Sequence, residues 1–370
     1  MKIGFDARMI CHSGIGVYIR SLLEELVPLA QEHSIFIFGP KREIEVLGSK
    51  YGNVKIFNCE VPIYSLQEQL FHPALKEKLD VLHVPHYNIP LAYRGAMVIT
   101  LHDLNHLKMP EMLPNRLAYY YARFMINKAR HRAKQIICIS KATMKEADDF
   151  LGINGNSSNV IHLSVRPEFF ERVLKSDLEI IRTRYQLPSN YILSVGILKP
   201  NKNLVTLIHA IRELRKEGMS DQHLVVVGKR FNQHPEILAE LRRGEEEGLV
   251  QHLENVPLQD LRAIYQMATV FAFLSLSEGF GLPVLEAFAS QVPVLASNVS
   301  SIPEVAGNGA LLVDPKNHDE IKQALNRLLS DSSLRTQLIQ KGIAELPRFS
   351  WRKTAQETLH VYNKAFGDVN

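Results

Sequence analysis

Short apolar runs alternate with amphipathic segments along most of this 370-residue chain. The apolar runs read as buried strands, whereas the segments between them, such as residues 17–30 and 65–78, carry apolar side chains at helical spacing. This alternation predicts parallel sheets with helices on both faces, the doubly wound α/β architecture. The predicted strands are residues 2–5, 34–38, 54–58, 81–84, 97–101, 136–139, 191–195, 223–227, 270–274, 293–296 and 310–313.

The strand pattern pauses near residue 166 and begins again near residue 191, so the sequence predicts two Rossmann-like domains. A chain of this length also exceeds what one hydrophobic core usually serves. We place the domains at residues 1–168 and 169–349, followed by a final helix over residues 350–370 with Ser350 as its N-cap. Two such domains facing each other create a cleft outside the carboxyl ends of their strands, where α/β proteins bind ligands.

The composition is that of an ordinary globular protein, with 46% apolar and 22% charged residues. A net charge of only +4, without arginines interleaved with aromatics in a long run, argues against nucleic acid as a partner. Asp6 and Arg8 exclude an apolar secretory leader, and no apolar run is long enough to span a bilayer, so we expect a cytoplasmic protein. Cys11, Cys59 and Cys138 are isolated and are expected to be reduced core residues.

Two glutamates bracket a glycine turn after the predicted strand at residues 270–274. The turn begins at Glu278 and reads EGFGLP, and Glu286 follows it. Pro283 suits the first position of a helix, whose free backbone NH groups and positive dipole end would point back toward the glycines. A phosphate can approach closely over glycine, while carboxylates accept hydrogen bonds from sugar hydroxyls. The motif therefore predicts a site for a sugar attached to a phosphate.

This motif resembles the donor-site signature of retaining glycosyltransferase family 4, whose members have the two-domain GT-B fold. The resemblance implies that Glu278 contacts the donor sugar, that Glu286 binds the nucleotide ribose, and that the final helix returns to the first domain. The backbone amides expected to meet the sugar and phosphate are those of Gly279, Phe280, Gly281 and Leu282.

A second candidate anion site follows the predicted strand at residues 191–195, where Gly196 precedes a helix expected to begin near Asn201. Lys202 would lie in its first turn, where the helix dipole disfavours a cation unless an anion is close. The resemblance assigns this donor-binding loop, and Lys202 in particular, to the donor diphosphate. Many family members have arginine where this chain has Ile197, so a second cation must come from elsewhere. Among Lys199, Lys229 and Arg230 we favour Arg230, because a guanidinium grips phosphate in a bidentate fashion.

In the first domain, Gly14 and Gly16 follow the first predicted strand and suit a flexible or close-approach loop before a helix. The resemblance places both beside donor and acceptor, although a purely structural turn is the alternative. His102 and Asp103 end another predicted strand, at the edge where α/β proteins bind ligands. By resemblance, His102 touches an outer hydroxyl of the donor sugar, and Asp103 orients a loop or binds acceptor.

Two further features of the first domain leave alternatives open. His83 and His86 have a spacing seen in some metal sites, but no third ligand joins them, so we expect no bound metal. No acidic residue occurs from Met112 to Lys145, and basic and aromatic residues mix between Arg116 and Lys134. That segment suits a helix lying on an anionic bilayer at the inner face of the plasma membrane, or equally a core helix with a solvated basic face.

Taken with the resemblance, these motifs predict a metal-independent glycosyltransferase without a cofactor. It would move a hexose from a nucleotide sugar to a hydroxyl of a glycan or lipid-linked acceptor, with retention at the anomeric carbon. The family generally shows no protein nucleophile, so Glu278 is not expected to be one. Mannose from GDP-mannose is the first choice of donor, with GDP-fucose, UDP-glucose and UDP-N-acetylglucosamine open. The alternatives are a two-carboxylate hydrolase, a nucleotide-sugar epimerase of similar architecture, and a catalytically silent sugar-nucleotide-binding subunit.

Overall fold

The computed structural model describes residues 1–48, 51–153, 157–231 and 233–367, except for the side chain of Leu66. The chain forms two compact units. Unit 1 comprises Met1–Ser164 and the chain from Ser350 onward, and unit 2 comprises Val165–Phe349. Residues 165–168, which we had placed in the first domain, therefore belong to unit 2. The reason is packing, because Phe169 is buried and its ring lies 5.7 Å from that of Tyr265 in unit 2.

Unit 1 contains a parallel sheet of seven described strands in the order β3-β2-β1-β4-β5-β6-β7. The six strands predicted here are confirmed within a residue or two at their ends. The seventh, β7, is short and only partly buried, so it lacks an apolar run. The strands are β1 Lys2–Asp6, β2 Ser34–Gly39, β3 Val54–Asn58, β4 Val81–Val84, β5 Met97–Leu101, β6 Gln135–Cys138 and β7 Ser158–Val160.

The helices of unit 1 cover both faces of this sheet, as the alternation predicts. One predicted helical segment, residues 65–78, divides into α3 and a 3-10 turn, Pro73–Leu75, because His72 precedes a proline and adopts an extended conformation. The helices are α1 Ser13–Leu29, α2 Lys41–Gly48, α3 Leu66–Phe71, α4 Asn105–Lys108, α5 Arg116–Arg132 and α6 Lys141–Leu151.

Unit 2 contains a parallel sheet of six described strands in the order β10-β9-β8-β11-β12-β13. The sequence missed the edge strand β10, in which Gln251 and His252 interrupt the apolar run. The strands are β8 Tyr191–Val195, β9 His223–Val227, β10 Val250–Leu253, β11 Val270–Phe273, β12 Val294–Ser297 and β13 Ala310–Val313. The helices are α7 Lys175–Tyr185, α8 Leu204–Lys216, α9 Pro235–Glu246, α10 Leu258–Gln266, α11 Leu282–Ala289, α12 Ile302–Ala306, α13 His318–Ser330 and α14 Ser332–Glu345.

The strand order of unit 2 reverses between β8 and β11, which are neighbours in the sheet although two strands separate them in sequence. Ligands of open α/β sheets bind outside the carboxyl ends of the strands at such a reversal. The loop after β8 contains Gly196 and Lys202, and the loop after β11 contains Glu278. Topology alone therefore brings the two predicted halves of the donor site to one edge of the sheet.

The final helix, α15 Trp351–Gly367, packs against α1 in unit 1, which confirms that the chain returns to its first domain. Its first turn is bonded to Ser350, whose carbonyl accepts from the Thr354 amide at 2.9 Å. Further along, the Tyr362 hydroxyl lies 2.6 Å from Nδ1 of His83 in β4. His83 Nε2 lies 2.8 Å from the Thr100 hydroxyl, so a buried chain of hydrogen bonds ties α15 to the sheet.

Candidate active site

An ion pair between Lys202 and Glu278 lies at the strand reversal of unit 2. The Lys202 Nζ atom lies 2.6 Å from Glu278 Oε1, and both side chains are largely buried, with exposed fractions of 22% and 14%. The ammonium also lies 4.9 Å from the centre of the Phe273 ring, within range of a cation–π contact. The two residues that the resemblance assigned to diphosphate and sugar therefore share one small site.

We had predicted that Lys202 lies in the first turn of a helix, but it precedes the helix. A 3-10 turn, Pro200–Lys202, comes first, and α8 begins only after Asn203, which has a positive φ of 55°. The expected conflict between Lys202 and a helix dipole is therefore absent. The position of Lys202 is fixed instead by the loop, because the Asn201 side chain donates to the Ser277 carbonyl at 3.0 Å.

The loop carrying Glu278 is held from its other side by two serines that the sequence did not single out. The Ser300 hydroxyl donates to the Glu278 carbonyl at 2.7 Å, and the Ser301 hydroxyl lies 2.7 Å from the Phe280 carbonyl. Ser301 is buried and so has little freedom. The Glu278 loop is thus fixed by hydrogen bonds from the loops that follow the two neighbouring strands, β8 and β12. Such preorganisation of polar groups favours catalysis.

At two positions in this site, the geometry of the backbone and its neighbours explains why the residue is glycine. Gly281 is the N-cap of α11 and has φ of 112°, and a Cβ there would lie 2.7 Å from Ile302 Cδ1. A Cβ on Gly228, after β9, would lie only 1.8 Å from the carbonyl oxygen of Gly196. The loops after β8 and β9 therefore touch backbone to backbone. Helix α11 begins at Leu282, so Pro283 is its second residue, one later than predicted.

Glu286 lies in the second turn of α11, whereas a helix that began at Pro283 would place it in the first. Its Oε2 accepts a hydrogen bond of 2.9 Å from the buried Tyr265 hydroxyl. Burial raises the pKa of Glu286 to about 7, against the opposing effects of Tyr265, Arg166 and Lys202. A carboxyl with this pKa is part protonated at neutral pH, so it can donate as well as accept a hydrogen bond.

Arg230 does not contact the Lys202–Glu278 pair in the described structure. Its Nε atom lies 3.3 Å from Nδ1 of His252 in the edge strand β10, and Nη2 lies 3.9 Å from a carboxylate oxygen of Glu245 in α9. The cation that acts on Glu286 besides Lys202 is Arg166, which sequence reasoning treated only as part of the domain boundary. Its position directly before Pro167, where the chain enters unit 2, was the available signal.

In unit 1, His102 follows β5 at the carboxyl edge of the sheet, as predicted. Its Nε2 atom lies 3.1 Å from the Pro85 carbonyl, and its ring packs edge-on against Tyr18 at 4.9 Å. Burial lowers the pKa of His102 to about 4, although Asp103 acts in the opposite direction. The ring is therefore neutral at pH 7, and because a carbonyl only accepts, its proton lies on Nε2. Nδ1 is left as a hydrogen-bond acceptor.

The other predicted residues of unit 1 lie at the starts of α4 and α1. Asp103 Oδ1 accepts from the Asn105 amide at 2.9 Å and so holds the entry to α4. Gly14 and Gly16 form no loop, because α1 begins at Ser13 and includes both in its first turn. A Cβ on Gly16 would lie 2.4 Å from the Ile10 carbonyl oxygen, whereas Gly14 has open space beside it.

The rings of His83 and His86 are held by hydrogen bonds within unit 1. His83 is bonded through both ring nitrogens, and Nδ1 of His86 accepts from the Asn88 amide at 2.9 Å. Burial lowers the pKa of both rings to about 3. Over the described residues, no three His, Cys, Asp or Glu side chains cluster as metal ligands do. The prediction of three buried cysteines is wrong for Cys11, which is exposed in the turn before α1.

Helix α5 is the predicted basic segment, and it has two apolar faces. One face is buried in the unit 1 core and includes Met125 and Ile126. The other is exposed, with Leu117, Tyr120 and Phe124 showing 79%, 62% and 50% of their surfaces. Helix α5 is therefore a core helix, as the second alternative had it, and its exposed side carries large apolar side chains besides the basic ones. No described helix is both long and apolar enough to cross a membrane.

Comparisons with known proteins agree with this architecture. Residues 12–169 match the family model described as Glycosyltransferase Family 4, and residues 179–345 match that described as Glycosyl transferases group 1. The chain is 28% identical to O-antigen chain mannosyltransferase B of Escherichia coli, over 98% of this chain and 99% of that one. It is 29% identical to the serotype-specific mannosyltransferase WbdA of the same species, over 76% of this chain but only 34% of that one.

Solved structures agree on the fold. Sucrose-phosphate synthase from Thermosynechococcus elongatus superimposes with a TM-score of 0.78 at 16% identity, over the full length of both chains. Anabaena HepE, solved in complex with UDP and glucose, superimposes with a TM-score of 0.75 at 19% identity, over 98% of this chain and 99% of that one. Fold and family matches together define a glycosyltransferase with the GT-B fold. The chain is similar to members of glycosyltransferase family 4, whose model matches residues 12–169.

Proposed function

We propose that this glycosyltransferase moves a mannosyl group from a nucleotide sugar to a hydroxyl of a glycan or lipid-linked acceptor, with retention at the anomeric carbon and without a metal. The observation that carries the site assignment is the Lys202–Glu278 pair at the strand reversal of unit 2. The choice of mannose rests on the names of the two Escherichia coli relatives.

Each residue of the unit 2 site has a role in this proposal. Lys202 binds the donor diphosphate, assisted by the backbone amides that precede Pro283 at the start of α11. The Glu278 carboxylate accepts hydrogen bonds from sugar hydroxyls, and the Glu286 carboxyl bonds to the ribose. In place of the arginine missing at Ile197 we propose Arg166, which lowers the pKa of Glu286 and also pairs with Glu168 at 3.1 Å.

The reaction needs little covalent chemistry from the protein. The acceptor oxygen forms a bond to the anomeric carbon on the face from which the bond to the diphosphate oxygen breaks, and the acceptor proton passes to that departing phosphate oxygen. Negative charge grows on the diphosphate as the bond breaks, so Lys202 and the amides around Gly281 stabilise the transition state more than the ground state. Lys202 does for the leaving group what a divalent cation does in other transferases.

In unit 1, we assign His102 to the outer hydroxyl of the donor sugar. Its neutral ring offers Nδ1 only as an acceptor, so the sugar hydroxyl must donate the hydrogen bond. A donor sugar without a hydroxyl at that carbon would leave this acceptor unpaired. The geometry thus supports a full hexose such as mannose over a 6-deoxy sugar such as fucose.

We also propose that unit 1 associates with an anionic bilayer through α5. The exposed apolar stripe of this helix includes Leu117, Tyr120 and Phe124, and its neighbours in sequence are basic. Aromatic rings settle at the interface between headgroups and acyl chains, while lysine and arginine attract anionic lipid. A peripheral position at the inner face of the plasma membrane would place the enzyme beside a lipid-linked acceptor.

Thermal melting with a panel of nucleotides and nucleotide sugars, with and without EDTA, tests the donor site. A ligand that binds only the folded state raises the melting temperature by mass action. A shift in melting temperature that is confined to GDP compounds and insensitive to EDTA supports the proposed donor class, whereas a shift with UDP compounds would indicate a UDP-linked donor.

Transfer to an acceptor, followed by anomeric NMR of the product, separates a transferase from an epimerase. A chain that binds donor but never transfers would be a silent binding subunit.

A further inference from the structure

A cleft in the surface of unit 1 borders the exposed apolar stripe of α5. It lies between α4, α5 and the end of α6 and has a volume of about 560 Å³, which is within the range of small-molecule sites. Its apolar wall includes Phe124 from α5 and Phe150 from α6, each about half exposed. The lining residues are Leu107, Tyr119, Tyr120, Arg123, Phe124, Asn127, Phe150 and Leu151.

The charge of this cleft is positive and unbalanced. Arg123 is the charged residue of the lining. In the part of the chain that the structure describes, no carboxylate lies within 4.0 Å of its guanidinium. The ammonium of Lys128, one turn further along α5, lies 5.5 Å from the centre of the Phe124 ring. An unpaired guanidinium beside apolar walls is suited to a ligand with an anionic end.

The chemistry of the lining distinguishes between ligand classes. A neutral glycan presents many hydroxyl donors and is usually met by carboxylates and amides, but this lining has no carboxylate and a single amide, on Asn127. Four aromatic rings and two leucines instead offer apolar surface that an alkyl or prenyl chain would bury. Arginine grips a phosphate more specifically than a lysine would.

We propose that this cleft binds a single lipid molecule, namely an apolar chain that ends in a phosphate. The phosphate pairs with Arg123, and the chain lies against Phe124 and Phe150. The ligand could be the phosphate-bearing carrier of a lipid-linked acceptor or a phospholipid of the bilayer. This inference extends the proposed membrane association of α5, but it concerns a defined site for one molecule, and its test needs no transferase activity.

The test uses the full chain in solution, without a bilayer, and water-soluble probes. Farnesyl phosphate represents a prenyl carrier, and dihexanoyl phosphatidic acid represents a phospholipid. Farnesol and inorganic phosphate are the two halves of the first probe. Titration calorimetry is expected to show one saturable site per chain for at least one whole probe, and binding at least ~10-fold weaker for each half, equivalent to about 1.4 kcal/mol. The probe that binds more tightly identifies the source of the lipid.

Two matched pairs of variants locate the site. Arg123→Gln and Phe124→Ala remove cleft groups, whereas Arg116→Gln and Leu117→Ala remove exposed residues of the same helix that do not line the cleft. We expect the first pair to weaken binding of the preferred probe at least ~10-fold and the second pair to change it by less than about 2-fold. Circular dichroism melting and the donor-induced shift in melting temperature check that each variant is folded.

Three results would overturn the inference. The first is the absence of saturable binding of both whole probes to a folded protein that still binds its donor nucleotide. The second is an equal loss in all four variants, which would indicate general attraction to charge and apolar surface. The third is binding of a soluble mannose oligosaccharide that Phe124→Ala and Arg123→Gln weaken, because the cleft would then be a glycan site. Since donor binding is measured separately in unit 2, failure here leaves the proposed transfer reaction untouched.

Discussion

The ammonium of Lys202 and the carboxylate of Glu278 neutralise each other at 2.6 Å, although one is assigned to the diphosphate and the other to the sugar of the same donor. If Lys202 binds the diphosphate as proposed, Glu278 occupies in the free enzyme the place on Lys202 that a phosphate oxygen would take in the complex. Donor binding exchanges one anion for another, so the site need not hold an uncompensated buried charge at any stage.

Glu278→Gln separates these two roles. Turnover should fall at least ~100-fold, the usual loss for one preorganised polar contact. Free nucleoside diphosphate, by contrast, should bind roughly 0.5–1 kcal/mol more tightly, because its phosphate no longer competes with a carboxylate for Lys202. Calorimetry and steady-state kinetics measure the two effects.

Glu217→Gln is the matched control, since Glu217 pairs with Lys322 at 2.9 Å on the surface of the same unit. It should change neither quantity. Near-native turnover of Glu278→Gln would remove Glu278 from the site, and weaker nucleotide binding would show that the carboxylate does not compete for Lys202.

Glu286 should make unit 2 less stable as the pH rises from about 4.5 to about 7. Its pKa is near 4.5 in the unfolded chain and is raised to about 7 by burial, so the folded state binds more protons across this window. The free energy of unfolding must then decrease with rising pH, and the loss is complete above the folded pKa.

Urea titrations at several pH values measure this slope, and Glu286→Gln should flatten it between pH 4.5 and 7, because glutamine does not titrate in this range. Glu345→Gln, which changes a partly buried carboxylate of the same unit that pairs with Arg348, serves as the control and should leave the decrease across this window in place. An unchanged slope in Glu286→Gln would mean that Glu286 is ionised in the folded protein.

His102 should discriminate between donor sugars. A neutral ring with its proton on Nε2 can only accept a hydrogen bond at Nδ1, so a 6-deoxy donor should react with kcat/KM about 10-fold lower than its hydroxylated counterpart. His102→Ala should abolish this preference. If the variant keeps the full preference, another residue meets the outer hydroxyl.

Because the pKa of His102 is lowered to about 4, the rate profile should show no inflection from this ring between pH 5.5 and 8.

Gly281→Ala should destabilise unit 2, whereas Gly14→Ala should not destabilise unit 1. A Cβ at Gly281 clashes with Ile302, and the positive φ adds about 1–2 kcal/mol of strain. At Gly14, in the first turn of α1, a methyl group meets open space, and alanine favours the helix by up to about 1 kcal/mol. Chemical denaturation measures both. A loss of activity in a stable Gly14→Ala would support the role of Gly14 beside the substrates, and full activity would contradict it.

The sequence was sufficient for the strands and for the edge at which the site lies, because apolar runs in a covered parallel sheet are strong signals. Strands β7 and β10 were missed because polar residues such as Asn159, Gln251 and His252 occupy edges where only one neighbour and partial burial are needed.

Contacts between residues that are far apart in the chain could not be predicted from the sequence. Nothing in the spacing of Lys202 and Glu278 indicated that they bond directly, and nothing marked Tyr265 as the partner of Glu286. The start of α8 was misplaced because a 3-10 turn and the positive φ of Asn203 intervene, and such backbone choices depend on bonds to other loops. The neighbours of Arg230, His252 and Glu245, were hidden for the same reason, since charge alone does not reveal which side chains a guanidinium meets.

The chain of hydrogen bonds from Tyr362 through His83 to Thr100 has a consequence for synthesis. Unit 1 is formed by two separate parts of the chain, so the ribosome synthesises all of unit 2 before it reaches α15. Until α15 is made, His83 lacks its hydrogen-bond partner Tyr362. The face of α1 that α15 covers is also open to water. Unit 2 can complete its fold on the nascent chain while unit 1 waits. A chaperone that recognises exposed apolar surface would therefore find its target in unit 1, and the synthesis and packing of α15 would end that exposure.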